Sequence, residues 1–408
     1  MRRRARFATL IAAAVCLSFA STTLPGQTRS GRNLRVALFP YLPDAGGDNL
    51  KGFAARIERE FEAANRGTDL ELRRFDPNDD FYDLDTVSKW LGAAGPAEYD
   101  VVEIDTILLG ELNLKVPIPT WSLPLRSWHE AARIAVRQGN EVLGVPHWLC
   151  SYFVMGSDPE LGSVRSVSAL ARVLKSSAPP NTRLLAGDFQ GSFTLPTYYL
   201  DAWADINISG DVESALRAAP ENRVIRDLKQ FSDLCVKDRD NPCLTDAKYN
   251  DDGLAAATEV ATGGAQSLVA YSERLHHLQR ASQTNKEWTL VSAPVGNGRH
   301  PAVFVDALVR SPQCTGSCAA AAASFAEYLT RTSTLEWMML SDDVDTSSIP
   351  RYLIPAHRDA YTTRVLADAH YKQINAQLTL ARPYPRFGFY HIRGDLRDRV
   401  REQLVQRK

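Results

Sequence analysis

Short apolar runs that alternate with segments of helical periodicity constrain this sequence more than any other feature. The runs LRVALF (34–39) and AVFVDALVR (302–310) have the length and composition of buried strands. After the first run, Phe53, Ile57 and Phe61 recur at the spacing of one helix face. Strands that alternate with helices in this way predict an α/β domain with a largely parallel sheet.

The middle of the chain repeats this organisation and predicts a second lobe. TRLLAGD (182–188) is typical of a strand, and a helical segment followed by Gly263 and Gly264 leads into a further strand that delivers Tyr271. A chain of 408 residues, 44% of them hydrophobic, is long enough to form about two domains.

Two apolar segments are suited to cross between these lobes. They are EVLGVPHWLCSYFVMG (141–156) and the run AVFVDALVR. We therefore predict a two-lobed α/β fold like that of the type II periplasmic binding proteins, in which a ligand occupies the cleft between the lobes. The predicted lobes are 34–148 together with 300–408, and 149–299.

The first twenty residues have the pattern of a secretory signal. Basic MRRRAR precedes apolar FATLIAAAVCLSF, and the small residues Ser18 and Ala20 suit a signal peptidase. We predict a signal peptide over 1–20, cleaved near 20–30, and a secreted or periplasmic protein. The adjacent arginines leave a twin-arginine export route open. The apolar run is too short for a stable membrane span, so no transmembrane helix is expected in the mature protein.

Five cysteines remain when the predicted signal is removed, and an odd number leaves one unpaired. Cys235 with Cys243, and Cys314 with Cys318, end short polar loops and are the natural local disulfides. Cys150 is then the free thiol. Since neither pair has a histidine at zinc-like spacing, no metal site is predicted. The count of cysteines does not decide whether Cys150 is a small buried hydrophobe or a nucleophile.

Charge and composition give no reason to expect a macromolecular ligand. The formal net charge is -1, and no basic segment is interleaved with aromatic residues. Neither a nucleic acid nor an anionic membrane surface is therefore an expected partner. We expect a monomer that uses no cofactor.

Six motifs carry a resemblance to a known family. In chain order they are VALFPYLPD, YDVVEIDTILL, VLGVPHWLCSYF, LVAYSERL, VFVDAL and RYLIPAHRDAY. In these motifs the sequence resembles the bacterial thiamine pyridinylases, also called thiaminase I, over most of the mature chain. The cysteine motif and the Tyr-Ser-Glu motif are the specific ones, whereas the other four alone indicate only the binding-protein fold.

The resemblance implies a catalytic pair and four residues that bind the substrate. The implied roles are Cys150 as the nucleophile, Glu273 as the acid/base that activates it, Asp105 and Asp306 as contacts of the aminopyrimidine, and Tyr41 and Tyr271 as aromatic residues that line the cleft. The chain also departs from the family. Phe304 stands where the family has a tyrosine, and Ser151 and Tyr152 follow the cysteine. These differences bear on substrate preference and turnover more than on the chemistry.

Plainer roles are open for several of these residues. Glu273 suits the solvated start of a helix, Asp105 suits the cap of a helix that begins at TILL, and Tyr41 is a loop aromatic between two prolines. Asp306 is different, because a carboxylate in the middle of VFVDALV needs a partner. The adjacent His276 and His277 are interpreted as surface residues.

The expected activity is the degradation of thiamine through a covalent intermediate. A thiolate that adds to the aminopyrimidine, with a ring nitrogen protonated, lets the ring expel the thiazole. The expected partners are thiamine and a small nucleophile, which is an amine, a thiol or a pyridine-like base. Two alternatives are open: a non-catalytic solute-binding protein for thiamine or a related pyrimidine, and an enzyme that acts on another heteroaromatic substrate by the same addition and elimination.

Overall fold

The computed structural model describes residues 32–406, apart from 77, 79, 125, 181, 208–211, 251–253, 283–286 and 345–347. The predicted signal peptide and its cleavage site lie outside the described residues. Among the residues that are described, no helix is both long and apolar enough to cross a membrane.

Strands and helices alternate along the described chain. The strands are β1 (Arg32–Ala37), β2 (Thr68–Leu72), β3 (Val101–Asp105), β4 (Arg137–Gln138), β5 (Glu141–Val142), β6 (Val145–Cys150), β7 (Tyr152–Gly156), β8 (Arg183–Gly187), β9 (Ala265–Tyr271), β10 (Thr289–Ser292), β11 (Ala302–Arg310), β12 (Ile354–Pro355) and β13 (Arg382–Pro383). The α-helices are α1 (Lys51–Ala64), α2 (Leu84–Trp90), α3 (Leu109–Lys115), α4 (Glu130–Ala135), α5 (Val167–Ser177), α6 (Thr194–Ile206), α7 (Val212–Arg217), α8 (Asn222–Ser232), α9 (Pro242–Thr245), α10 (Leu254–Ala261), α11 (Arg274–Ala281), α12 (Ser317–Leu329), α13 (Thr332–Leu340), α14 (Ala369–Gln377) and α15 (Phe389–Gln406).

Each half of the molecule is built around its own sheet. The larger sheet has the strand order β12-β6-β11-β3-β1-β2, with β13 beside β11, and the smaller sheet has the order β10-β7-β9-β8. The predicted α/β class is confirmed, but the prediction of a largely parallel sheet is wrong for the larger sheet, which is mixed. β11 runs antiparallel to both β3 and β6. The reason is that β6 leads into the smaller sheet and β11 returns from it, so the two strands point in opposite directions.

The chain first passes from the larger sheet to the smaller one between β6 and β7, and this connection is one residue long. β6 ends at Cys150 and β7 begins at Tyr152, so that only Ser151 separates the two strands. Ser151 is buried, and its hydroxyl donates a hydrogen bond of 3.1 Å to the carbonyl of Ala302, where β11 begins. This contact joins the outgoing crossing to the returning one. The predicted lobe boundaries within the chain stay a prediction.

The last two helices pack on the half that holds the smaller sheet. The Gln373 and Gln377 side chains of α14 accept the backbone N–H groups of Leu290 at 2.7 Å and Ser292 at 2.6 Å, so α14 satisfies donors of the edge strand β10. Arg399 of α15 donates to a carbonyl of α7 at 2.8 Å. The C-terminal segment therefore stabilises the smaller sheet.

The cysteines pair as the sequence predicts. Cys235 is bonded to Cys243 and Cys314 to Cys318, and Cys150 is the free thiol among the described residues. All four disulfide sulfurs belong to buried residues. Each bond closes a short loop, so its contribution to stability is expected to be modest, about 2 to 3 kcal/mol.

A buried arginine ties together two segments that flank the cleft between the sheets. The Arg351 side chain is fully buried and forms a bidentate ion pair with Asp343, with N–O distances of 2.6 Å and 2.7 Å. Its Nε donates to the carbonyl of Pro43 at 2.9 Å and its Nη1 to that of Met338 at 3.1 Å. Arg351 thereby fixes the loop before α1 against the end of α13.

Replacing this arginine is expected to be costly, because Asp343 would be left as a buried charge without its partner. For Arg351→Ala we expect a loss of about 3 to 5 kcal/mol in the free energy of unfolding, measured by urea denaturation. Arg364 provides the matched control, since it also pairs with an aspartate, Asp342 at 2.8 Å, but is 53% exposed. Arg364→Ala should cost no more than about 1 kcal/mol. Equal losses in the two variants would contradict this account.

Candidate active site

The six residues singled out in the sequence all line one cavity between the two sheets. The cavity has a volume of about 360 Å³, within the range of small-molecule sites. Its described lining comprises Phe39, Tyr41, Leu42, Tyr82, Asp105, Leu149, Cys150, Asp188, Gly191, Ser192, Phe193, Thr194, Asn250, Tyr271, Glu273, Phe304, Asp306 and Leu353.

The register of β11 brings the reactive groups of the larger sheet together. Asp306 lies directly opposite Asp105 on β3, and Phe304 lies opposite Cys150 on β6. A register shift follows between Asp306 and Ala307. Because alternate residues of a strand share a face, the thiol and both carboxyl groups point to the same side of the sheet. Cys150 Sγ is 3.8 Å from Asp306 Oδ2, within reach of a weak S–H donor.

The two aspartates form a buried carboxyl pair. Asp105 is 1% exposed and Asp306 is 5% exposed. Burial raises the pKa of Asp105 to about 7, although hydrogen bonds from the Ile107 N–H and the Tyr82 hydroxyl act to lower it. The pKa of Asp306 is raised well above its ordinary value, first by burial and then by the charge of Asp105. The pair therefore retains a proton at neutral pH and can donate a hydrogen bond to a ligand.

Asp105 combines the plain structural role with a place in the cavity. Its Oδ1 accepts the N–H of Ile107 at 3.0 Å and so caps the short 3-10 helix Thr106–Leu108. Its Oδ2 accepts the Tyr82 hydroxyl at 3.4 Å. The cap fixes the side chain at the end of β3, where it faces the cavity.

A third buried carboxyl group lies beside this pair on the same face of β3. Glu103 precedes Asp105 by two residues on β3, and its Oε1 lies 2.6 Å from His147 Nδ1, with both side chains almost fully buried. Its Oε2 accepts the N–H of Phe39 at 3.0 Å. The charge of Glu103 also helps to raise the pKa of Asp306. Sequence reasoning missed Glu103, although its position in VEID places it on the same face as Asp105.

The Cys150 thiol is held in its neutral form. Burial raises its pKa well above the ordinary value, and the negative charges of Asp306, Glu273 and Asp105 raise it further. A neutral thiol is a poor nucleophile, so chemistry at this sulfur requires a base that removes its proton as the reaction proceeds.

Glu273 reaches the cavity from the smaller sheet. It follows β9 and lies at the start of α11, where its side chain makes no capping hydrogen bond, and it is 8% exposed. A solvated helix-start carboxylate does not fit this burial. The neighbouring Ser272 hydroxyl donates a hydrogen bond of 2.7 Å to the carbonyl of Tyr352. Tyr352 has a φ of 56°, which is rare for a residue with a bulky side chain. This bond holds the turn that presents Glu273.

The interpretation of the histidine pair as surface residues is wrong for His276. It is 2% exposed, and its Nδ1 lies 3.1 Å from the carbonyl of Pro350. The reason is that the first turn of α11 packs against the segment that contains Arg351. His277 is half-buried, and burial lowers its pKa to about 4.

Aromatic side chains form the walls on both sides. Tyr41 is 39% exposed at the rim, and its ring lies 4.9 Å from that of Phe39. Tyr271 stacks on Tyr152 at 4.3 Å, and the two hydroxyls are 2.7 Å apart. Phe304, the residue that departs from the family pattern, presents a ring without a hydroxyl to the cavity.

Two further aromatic residues close the cavity, and sequence reasoning missed both. Tyr82 comes from the loop before α2 and Phe193 from the turn before α6, and their ring centroids are 4.7 Å apart. They connect the two halves of the molecule across the cavity. No sequence pattern marked these two loop residues. Sequence reasoning also missed Asp188, which directly follows β8, just as Asp105 is the last residue of β3. Its position was a usable signal, because ligands often bind at the carboxyl ends of strands.

Fold and cavity together define the class of this protein: it has the fold of the type II periplasmic solute-binding proteins, a fold that thiaminase I shares. The chain is similar to thiaminase I from Bacillus thiaminolyticus (18% identity, 91% of this chain and 99% of that one, TM-score 0.67). It is similar to Clostridium botulinum thiaminase I in complex with thiamin (16%, 91% and 100%, TM-score 0.68).

A sugar-binding protein is as similar in fold as the enzymes are. Maltose-bound MalE3 from T. maritima has 13% identity, with 92% of this chain and 99% of that one covered and a TM-score of 0.68. No family model matches the sequence, and no curated protein matches it. At these identities the likeness establishes the fold, and the chemistry has to be argued from the site.

The raised pKa of Asp105 has a consequence for stability. The unfolded chain loses this proton near pH 3.8 and the folded protein near pH 7, so the free energy of unfolding falls as the pH rises between these values. Asp105→Asn has no proton to lose. Between pH 5 and pH 8, the free energy of unfolding of the variant should rise by about 2 to 3 kcal/mol relative to that of the wild type, measured by urea denaturation.

Asp83→Asn is the control for this measurement. Asp83 caps α2, and its pKa is lowered, first by the hydrogen bond from the Thr86 hydroxyl. The contribution of Asp83 to stability is therefore lost only below about pH 4. The difference in the free energy of unfolding between Asp83→Asn and the wild type should not change between pH 5 and pH 8. A constant difference for Asp105→Asn as well would show that Asp105 is already ionised at pH 5.

Proposed function

We propose that this protein is a thiamine-degrading transferase, which replaces the thiazole of thiamine by another small nucleophile through a covalent bond at Cys150. One observation carries the proposal: a free thiol shares a small cavity with Glu273, Asp105 and Asp306. Capture of a solute requires no thiol, whereas displacement at the pyrimidine needs a nucleophile, a base and a proton donor. The structural likeness to thiaminase I supports the same conclusion.

The cavity suits the two parts of thiamine. Aromatic faces such as those of Tyr41 and Tyr271 can pack on the flat aminopyrimidine and face the cationic thiazolium. The proton retained by Asp105 and Asp306 can be donated to a ring nitrogen, and a carboxyl oxygen of the pair can accept an N–H of the amino group. These carboxyl groups make the ring electron-poor, as nucleophilic addition requires.

The first half of the reaction forms the adduct. Glu273 takes the proton of the Cys150 thiol, and the sulfur adds to C6 of the pyrimidine while the ring nitrogen accepts a proton from the aspartate pair. Electrons of the ring then expel the thiazole, which leaves with the electron pair of its bond to the methylene. Proton transfer to a positioned carboxylate typically contributes about 10²- to 10⁴-fold in rate.

The second half releases the product. An amine, a thiol or a pyridine-like base adds to the methylene, the ring returns the proton to the aspartate pair, and the sulfur leaves C6. Glu273 gives the proton back to the departing thiolate, which restores the neutral thiol of the resting site. A thiolate serves here because it is both a good nucleophile and a tolerable leaving group. On this proposal the protein acts outside the cytoplasm, as the predicted signal peptide implies.

The second candidate is a solute-binding protein for thiamine or a related pyrimidine. It is favoured by the equal likeness to maltose-bound MalE3, which has the same fold. In that case the cavity would bind the ligand and return it unchanged, and neither Cys150 nor Glu273 would matter for function.

Cys150→Ser separates the two candidates. Purified protein is incubated with thiamine and aniline, and the loss of thiamine and release of the thiazole are followed. The wild type should turn over, and the serine variant should not, because an alkoxide is far harder to form and expel than a thiolate. Thiamine affinity should stay within about tenfold, since the fold and cavity are unchanged. Thiamine that is bound but never cleaved by the wild type would establish the binding protein instead.

Glu273→Gln tests which carboxylate is the base, because Asp306 is also close to the thiol. With Glu273 as the base, this variant should lose about 100-fold or more in kcat, and the ionised-carboxylate limb of its pH profile should vanish. The exposed Glu141, outside the cavity, gives the matched control Glu141→Gln, which should behave as the wild type. If Glu273→Gln stays active and the kcat of Asp306→Asn no longer depends on pH, the base would be Asp306 instead.

A further inference from the structure

A carboxyl group that follows a strand of the smaller sheet lines the cavity together with the aspartate pair of the larger sheet. Asp188 follows β8, lines the cavity and is 5% exposed. The turn after it leads into α6, so that the residues before that helix also line the cavity. The mechanism above gives Asp188 no role.

Asp188 accepts the donors that this turn directs inward. Its Oδ1 accepts the backbone N–H groups of Gln190 at 2.7 Å and Gly191 at 2.9 Å, and its Oδ2 accepts the Thr194 hydroxyl at 2.8 Å. The packing is close, since a Cβ at Gly191 would lie 2.4 Å from Asp188 Oδ2. The Asp188 carboxylate therefore already accepts the donors of the turn that leads into α6, which an anionic ligand would otherwise use.

The described lining contains four carboxyl groups and neither lysine nor arginine. The carboxyl groups belong to Asp105, Asp188, Glu273 and Asp306. Arg393 is close to the rim, but its guanidinium packs 4.4 Å from the ring centroid of Phe193 and donates to the carbonyl of Tyr390. A phosphate against this described lining would lack the arginine or lysine that phosphate sites use, and the N–H groups of Gln190 and Gly191 are already bonded to Asp188.

We infer that Asp188 is a specificity-determining residue, which makes the site select thiamine itself, a cation, and reject thiamine phosphates. The inference rests on the proposed function and adds the substrate class to it. A thiazolium cation is attracted by the carboxylate, whereas a phosphate on the hydroxyethyl arm brings like charges together. Neutral or cationic acceptor nucleophiles are favoured over anionic ones for the same reason.

The test compares kcat/KM for thiamine and thiamine monophosphate with aniline as the common acceptor. The wild type should prefer thiamine by about 100-fold or more, and Asp188→Asn should reduce this ratio by about tenfold or more. Asparagine keeps an oxygen acceptor for the turn. The ratio of the two substrates is the informative readout, because structural damage would lower both rates together.

Asp158→Asn is the matched control, since Asp158 accepts the N–H of Glu160 at 2.9 Å in a similar turn but does not line this cavity. It should leave the ratio unchanged. A wild type that cleaves both substrates equally well, or a ratio unchanged in Asp188→Asn, would overturn the inference and leave the proposed function intact.

Absence of thiamine cleavage would instead overturn the proposed function. The inference is then decided by the affinities for thiamine and thiamine monophosphate, measured by calorimetry on the same three proteins. Equal affinities, or no binding of either compound, would overturn it. A preference for thiamine that weakens only in Asp188→Asn would support it for a binding protein.

Discussion

The candidate site depends on the placement of β11 between β3 and β6. Its register sets Asp306 against Asp105 on one side and Phe304 against Cys150 on the other. A shift by one residue would turn Asp306 away from the cavity and bury a carboxylate in the apolar layer behind the sheet. The bond from Ser151 to Ala302 fixes the beginning of this strand. Backbone pairing thus sets the distance between the Cys150 thiol and the Asp306 carboxyl group.

Four buried or nearly buried acidic groups in one region are costly for the folded protein. Burial raises the pKa of Asp105 and Asp306, so that part of the charge is removed by protonation. For Asp105 the cost in stability grows as the pH rises from 3.8 to about 7. Such a concentration of perturbed carboxyl groups is typical of functional sites, where reactivity is favoured over stability.

The sequence predicted the fold class, the disulfides and the thiol because these follow from local patterns. Apolar runs mark strands, and cysteines four to eight residues apart pair across short loops. The antiparallel entry of β11 was not predictable in this way, since direction depends on which sheet a strand comes from. Tyr82 and Phe193 meet only in the folded chain. No local pattern indicated the roles of Glu273 and Asp105. The family resemblance alone implied them, and they stay predictions.

The crossing at Ser151 divides the reactive groups between two bodies. Cys150, Asp105 and Asp306 belong to the larger sheet, whereas Glu273 follows a strand of the smaller one. If the cleft opened by rotation about the crossing strands, Cys150 would lie beside the rotation axis and keep its neighbours on the larger sheet, whereas Glu273 would move away from it. With Glu273 as the proposed base, the thiol of the open form would stay neutral and would be protected from chance electrophiles until a ligand closes the cleft.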